Sequence, residues 1–286
     1  AKASIDRSTG DTKGILLNPV EVTHDDAGYH YRYVDLALDS ANRIATLTLT
    51  APSDDAATIA GWSATDLVAQ GDACWALQAY RELSDALLML RFNQIETGTV
   101  LLKTAGNADA VLAHDALIER FADDHWFVAE LRNYMAFVLR RVDLTARSFF
   151  ALVEEGSCFA GSMLELALAA DRSYLLEDGS VGVHVGVING GSLPMSNGLT
   201  RLQSRYLAVP SEGEAISQAC AHYVGMEAEE AGLVTFALDD IDYEDEVRMA
   251  IEERASMSPD ALTGMEANLR FAGAETIETK VFGRLS

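Results

Sequence analysis

The sequence predicts an α/β fold: a layered core of β-sheet and helices, followed by trailing C-terminal helices. Three observations carry this. Short β-type runs alternate with long amphipathic runs over most of the chain. A strand ending at Val153 passes through a loop of small residues into a helix. After Gly225 the pattern becomes almost wholly helical. About half of the 286 residues (49%) are hydrophobic, enough for a sizeable core.

Residues 1–28 read as a linker-like N-terminal segment. Tyr31–Leu38 and Arg43–Leu49 alternate apolar and polar residues, and Asp39-Ser40-Ala41-Asn42 supplies turn chemistry, so a hairpin is expected. Residues 51–71, rich in Ala, Asp, Ser and Thr, read as an exposed insertion with a short helix. Asp72 is the expected cap of a helix over 73–92, with Trp75, Ala79, Leu83, Leu87 and Leu90 on its inner face. Thr99–Lys103 reads as a strand. Asp123 or Asp124 should cap a second long helix, His125–Val142, that buries Phe127, Leu131, Met135, Val138 and Val142. Ser148–Val153 is the third strand of this run. Helices are expected over Glu227–Ala231, Asp245–Ser256 and Pro259–Phe271, giving a core over 29–225 and a helical region over 226–286.

The loop Gly156–Ser162 and the helix from about Met163 to Ala170 form the most informative segment. Small residues at a helix N-terminus leave backbone N–H groups free and let a ligand approach, which suits an anion or an oxygen that becomes one. Glu165 sits one turn in, facing the same side. The segment has neither G-x-x-x-x-G-K-S/T nor G-x-G-x-x-G, so it is not a nucleotide loop of either kind. A tight turn that merely needs small residues is the plain alternative.

The string Gly156-x-Cys158-x-Ala160-Gly161-Ser162-x-x-Glu165-Leu166-Ala167-Leu168-Ala169-x-Asp171 resembles the central signature of the crotonase (enoyl-CoA hydratase/isomerase) superfamily. Gly190-Gly191-Ser192-Leu193-Pro194, running on to Arg201-Leu202, is similar to that superfamily's second glycine stretch, and Ala228–Val234 to a later turn. Longer stretches, Asp124–Val128, Arg147–Leu152, Ile241–Glu246 and Glu252–Phe271, resemble the C-terminal half of the benzoyl-CoA-dihydrodiol lyase family. The resemblance runs from about Gly14 to Leu285. Chains of that family are about twice as long and hold two crotonase-like halves, so this chain is expected to be part of a longer protein.

The resemblance implies Glu165 as the catalytic residue and an oxyanion hole made by the N–H groups of Gly161 or Ser162 and of Ala113. The stretch Val111–Asp115 stands where a Gly-Ala pair is expected, and His114 adds bulk there. Hydratases of the superfamily use a second glutamate, whose position falls near Val185–Val187, where no carboxylate stands. A paired acid and base is therefore not expected. Asp115, adjacent to His114, reads as a helix-start residue, since neighbours on a helix do not face each other. Cys158 reads as a small buried hydrophobe, having no histidine close by to activate it.

Net charge is −23. That argues against nucleic acid and anionic membranes as partners, since both need cationic surface. It is awkward for a CoA ester, itself anionic. A local cation would have to oppose the global field, with Lys103, Arg140, Arg141, Arg147, Arg201 and Arg205 as candidates and plain surface charge as the alternative for each. The three cysteines are scattered, so neither disulfides nor zinc is expected, and no metal or other cofactor is implied. A reducing cytoplasm is the expected compartment, with no secretory leader or membrane span.

Three functions stay open. The first is part of a ring-opening lyase on an oxygenated dihydro form of benzoyl-CoA, cleaving C–C with water through a stabilised thioester enolate. The second is a catalytically silent half that serves as scaffold and oligomerisation surface. The third is a stand-alone enoyl-CoA hydratase or isomerase. Expected partners are an aromatic acyl-CoA, further copies of the chain and an N-terminal crotonase-like half. Convergence of the Gly161 and Ala113 N–H groups on one point would favour an active half; a pocket filled by His114 or Met163 would favour the silent one.

Overall fold

In the computed structural model, which describes residues 14–270, the expected hairpin forms two adjacent strands of an eight-stranded sheet. Strands β1 (Thr23–Asp25), β2 (Gly28–His30), β3 (Val34–Asp39) and β4 (Ile44–Thr50) make an antiparallel meander. Helices α1 (Ala56–Ala60), α2 (Ala64–Gln70) and α3 (Trp75–Phe92) follow. Strand β5 (Thr99–Ala105) then pairs parallel to β4. Two helices, α4 (Ala108–Phe121) and α5 (Trp126–Asp143), lead to β6 (Ser148–Val153), parallel to β5. Helix α6 (Gly161–Ala169) returns the chain to β7 (Arg172–Leu176), again parallel.

Beyond the sheet lies a small ribbon, β8 (Gly182–His184) with β9 (His222–Val224), which encloses α7 (Arg201–Arg205) and α8 (Pro210–Ala219) in sequence. Helix α9 (Met226–Glu230) precedes β10 (Phe236–Leu238), the parallel edge strand beside β7. Helices α10 (Asp240–Ser256) and α11 (Pro259–Leu269) close the described chain.

The two faces of the sheet have separate cores, set by the period of two along each strand. On β6 every residue is buried, as expected for a central parallel strand. Phe149 and Ala151 face the large core under α3 to α6, while Phe150 and Leu152 face α10. In α5 the five residues expected to point inward are all buried, and so are the five of α3.

Several local expectations need correction. Asp72 caps nothing; it accepts hydrogen bonds from the backbone N and Nδ2 of Asn18 at 2.7 and 2.9 Å, and α3 starts at Trp75. The cap of α5 is His125, whose Nδ1 accepts from Phe127 N; Asp123 pairs with Arg132 instead. The insertion at 51–71 holds two helices, each anchored by one wholly buried residue, Ile59 and Leu67. The end of the linker-like segment is not a linker: Thr23–Gly28, with Tyr29 and His30 of the expected core, forms the β1–β2 hairpin. Helix α10 covers this chain's own sheet: Tyr243, Val247 and Ala250 pack on Phe150, Leu152 and Tyr174. The rest of the linker-like segment (1–13), Phe271 and all beyond it lie outside the described residues.

Candidate active site

Helix α6 follows β6 and the glycine loop as expected, but begins at Gly161 rather than near Met163. Ala160, its N-cap, has no side chain to cap the helix. The first-turn N–H groups therefore look outward for acceptors. Gly161 holds φ at +48°, a left-handed value that favours glycine. A Cβ built there would lie 2.1 Å from Asp115 Oδ2, so space matters as much as conformation.

Asp115 is the residue that defines this site, and sequence reasoning placed it wrongly. Helix α4 starts at Ala108, capped by Asn107, whose side chain accepts from Asp109 N and Ala110 N. Asp115 thus sits in mid-helix, fully buried. Its Oδ2 accepts the N–H of Ser162 at 2.6 Å. That oxygen stands where a reacting oxyanion would have to sit to use this donor. Burial pushes the Asp115 carboxyl up to about 7, and the Ser162 N–H only partly opposes it. Asp115 Oδ1 has no hydrogen-bond partner among the described residues.

Ala113 does not supply the second donor. It lies inside α4, where a backbone N–H is taken up by the carbonyl four residues earlier. Two of the predicted donors are therefore taken: Ala113 lies in a helix where a small-residue loop was expected, and Asp115 occupies Ser162. His114 and Met163 are both fully buried. His114 packs edge-on to Trp75, its Nε2 is 3.9 Å from Cys74 Sγ, and burial holds its imidazole down to about 4.

Glu165 is also committed. Only 1% exposed, it accepts from Asn189 Nδ2 at 2.6 Å and from Arg201 NH1 at 2.8 Å. Arg201 turns its other edge to Asp143, Nε to Oδ1 at 3.0 Å and NH2 to Oδ2 at 2.7 Å. Asn189 also donates to Gly161 O and accepts from Gly186 N, which ties the start of α6 to the 3₁₀ turn at Val187–Gly190. Burial pushes Glu165 up and the Arg201 guanidinium pulls it back. A carboxylate with both oxygens bonded this way is a poor free base. The sequence carried a signal for this: a single Glu in the apolar string Met163-Leu164-Glu165-Leu166-Ala167-Leu168 demands a buried cation.

Cys158 is buried as expected, and burial raises its thiol to about 11. Among the described residues no group of three or more His, Cys, Asp or Glu side chains is arranged to hold a metal ion, and no helix is long and apolar enough to cross a membrane.

Element order and sheet define a class: the chain has the crotonase fold of the enoyl-CoA hydratases. A putative enoyl-CoA hydratase from Streptomyces coelicolor A3(2) superposes with a TM-score of 0.58 at 16% identity, over 96% of this chain and 88% of that one. An enoyl-CoA hydratase/isomerase from Marinobacter aquaeolei gives 0.57 at 15% identity, over 87% of each chain. At such identities the likeness speaks for fold alone. Within that class the chain is similar to one particular enzyme, benzoyl-CoA-dihydrodiol lyase of Aromatoleum evansii, with 46% identity over 284 residues. That match takes in 98% of this chain and 50% of the relative, so the chain spans about half the length of the curated protein it matches. No protein-family model matches.

Proposed function

We propose that this chain is the C-terminal crotonase-like half of a benzoyl-CoA-dihydrodiol lyase, and that it is the silent half: a scaffold whose own thioester site is closed. The 46% identity supports the first part. The second rests on one observation above all, the bond from Ser162 N–H to Asp115 at 2.6 Å. Thioester enolates need two convergent donors that are free before substrate arrives. Here Ser162 N–H is bonded within the chain and Ala113 N–H is spent inside α4. Glu165, the remaining acid–base group of the superfamily pattern, acts as a buried structural anion between Arg201 and Asn189.

On this reading ring opening takes place in the other half. There an aromatic acyl-CoA dihydrodiol would lose its C–C bond with water, the developing enolate held by that half's own N–H donors. This half contributes the subunit surfaces and one wall of the assembly. Glu165→Gln in the enzyme that contains this chain tests the assignment. Turnover within about twofold of wild type, from a protein of lowered stability, is the expected result. A fall of about a hundredfold or more, the scale of a lost general acid or base, would overturn it.

A further inference from the structure

The six cations considered as partners for an anionic ligand are now separable. Lys103 Nζ is paired with Glu154 Oε2 at 2.7 Å. Arg147 and Arg205 donate to backbone carbonyls. Arg201 is held by Glu165 and Asp143, and Arg141 lies over the Phe137 ring. Arg140, like Arg141, makes no side-chain hydrogen bond or ion pair among the described residues, but Arg140 alone of the six lines a cavity beside a second arginine and no carboxylate.

Arg140 lines a cavity of about 320 Å³ between α5 and the loop Gly190–Pro194. Arg132 and Asn133 line it as well, with Gly191 and Ser192 opposite, and no carboxylate is among the described lining residues. In a chain of net charge −23 that is an unusual local balance. Arg132 and Arg140 are eight residues apart, so their backbones are roughly 12 Å apart along the helix. Both side chains line the same cavity. Arg132 is bonded to Asp123 at 3.0 Å, but Asp123 is 84% exposed. Such a surface pair is worth little and is readily exchanged. At physiological ionic strength charges beyond about 8 Å are screened, which mutes the global negative field but not contacts within the cavity.

We propose that this cavity is a binding site for a pyrophosphate-type anion, one with two linked oxyanion groups, gripped by Arg140 and Arg132 with Asn133 and the Gly191-Ser192 loop at its sides. Guanidinium forks match paired phosphate oxygens, which is why arginine serves here better than lysine. The assignment is independent of where the lyase chemistry takes place.

Calorimetric titration of the whole 286-residue chain with inorganic pyrophosphate, at physiological salt, tests it. Saturable 1:1 binding is expected. Arg140→Ala should weaken it at least tenfold with an unchanged thermal melt, Arg140→Lys less, and Asp123→Asn should tighten it two- to threefold by freeing Arg132. ADP run in parallel identifies the source of the phosphates: tighter than pyrophosphate means a nucleotide-bearing ligand, equal or weaker means pyrophosphate itself. Absence of saturable binding up to about 10 mM, or equal affinity in wild type and a folded Arg140→Ala, overturns the proposal.

Discussion

Removing Arg201 should damage this protein more than any other single charge deletion. Arg201 is 2% exposed and bonds both oxygens of Asp143 and one of Glu165, which are 7% and 1% exposed. Arg201→Ala therefore strands two buried carboxylates. Breaking a buried ion pair by deleting one partner costs about 3–5 kcal/mol. At roughly 2–4 °C per kcal/mol for a domain of this size, the melting temperature should fall by roughly 6–20 °C. The diagnostic part is the coupling. Adding Glu165→Gln to Arg201→Ala removes one stranded charge and should recover stability, whereas Glu165→Gln alone should cost it. Urea unfolding of the four proteins, followed by circular dichroism, gives the coupling energy. A loss below about 1 kcal/mol for Arg201→Ala, or simple additivity, would refute the view that Glu165 is a structural anion.

Other consequences concern the closed site. The Asp115 carboxyl rises from 3.8 to about 7 on folding, so the native state binds the extra proton between those values. Its contribution is neutral below pH about 4 and increasingly destabilising up to about 7, with a ceiling of roughly 4 kcal/mol at about 1.4 kcal/mol per unit. Asp115→Asn should therefore be more stable than wild type at pH 8, with the gap closing towards pH 4; a gap that ignores pH contradicts this origin. Gly161→Ala should destabilise by about 1–3 kcal/mol for the left-handed φ alone, plus the clash with Asp115, and Asp115→Ala should relieve the clash portion in a double-mutant cycle. Thiol labelling of the native protein should modify Cys220 alone, because Cys74 and Cys158 are buried with thiols pushed up to about 11; rapid native labelling of either would contradict that burial.

The fold was legible because its main signals are local. Alternation in β3 and β4 and the helical spacing in α3 and α5 depend only on which side of an element faces the core. The entry to α6 was legible for the same reason: a strand, small residues and an apolar helix leave few arrangements. The state of the site was not. Whether Ser162 N–H is free depends on Asp115, 47 residues away, and on α4 starting at Ala108 rather than near Asp115. Gly106-Asn107-Ala108-Asp109 is a readable helix start, with an Asx cap at Asn107, and it is the signal that would have put Asp115 inside the helix. The Glu165–Arg201–Asp143 network spans three elements and no spacing rule reaches it.

The central claim is that the thioester site of this half is closed by its own Asp115. Calorimetric titration of the folded chain with benzoyl-CoA, read against pyrophosphate and CoA to remove any contribution from the phosphates, tests it most directly. The account predicts no affinity for benzoyl-CoA beyond that of CoA itself. A tenfold or greater gain from the benzoyl thioester, abolished when the start of α6 is altered by Gly161→Ala, would show an open oxyanion site and contradict it.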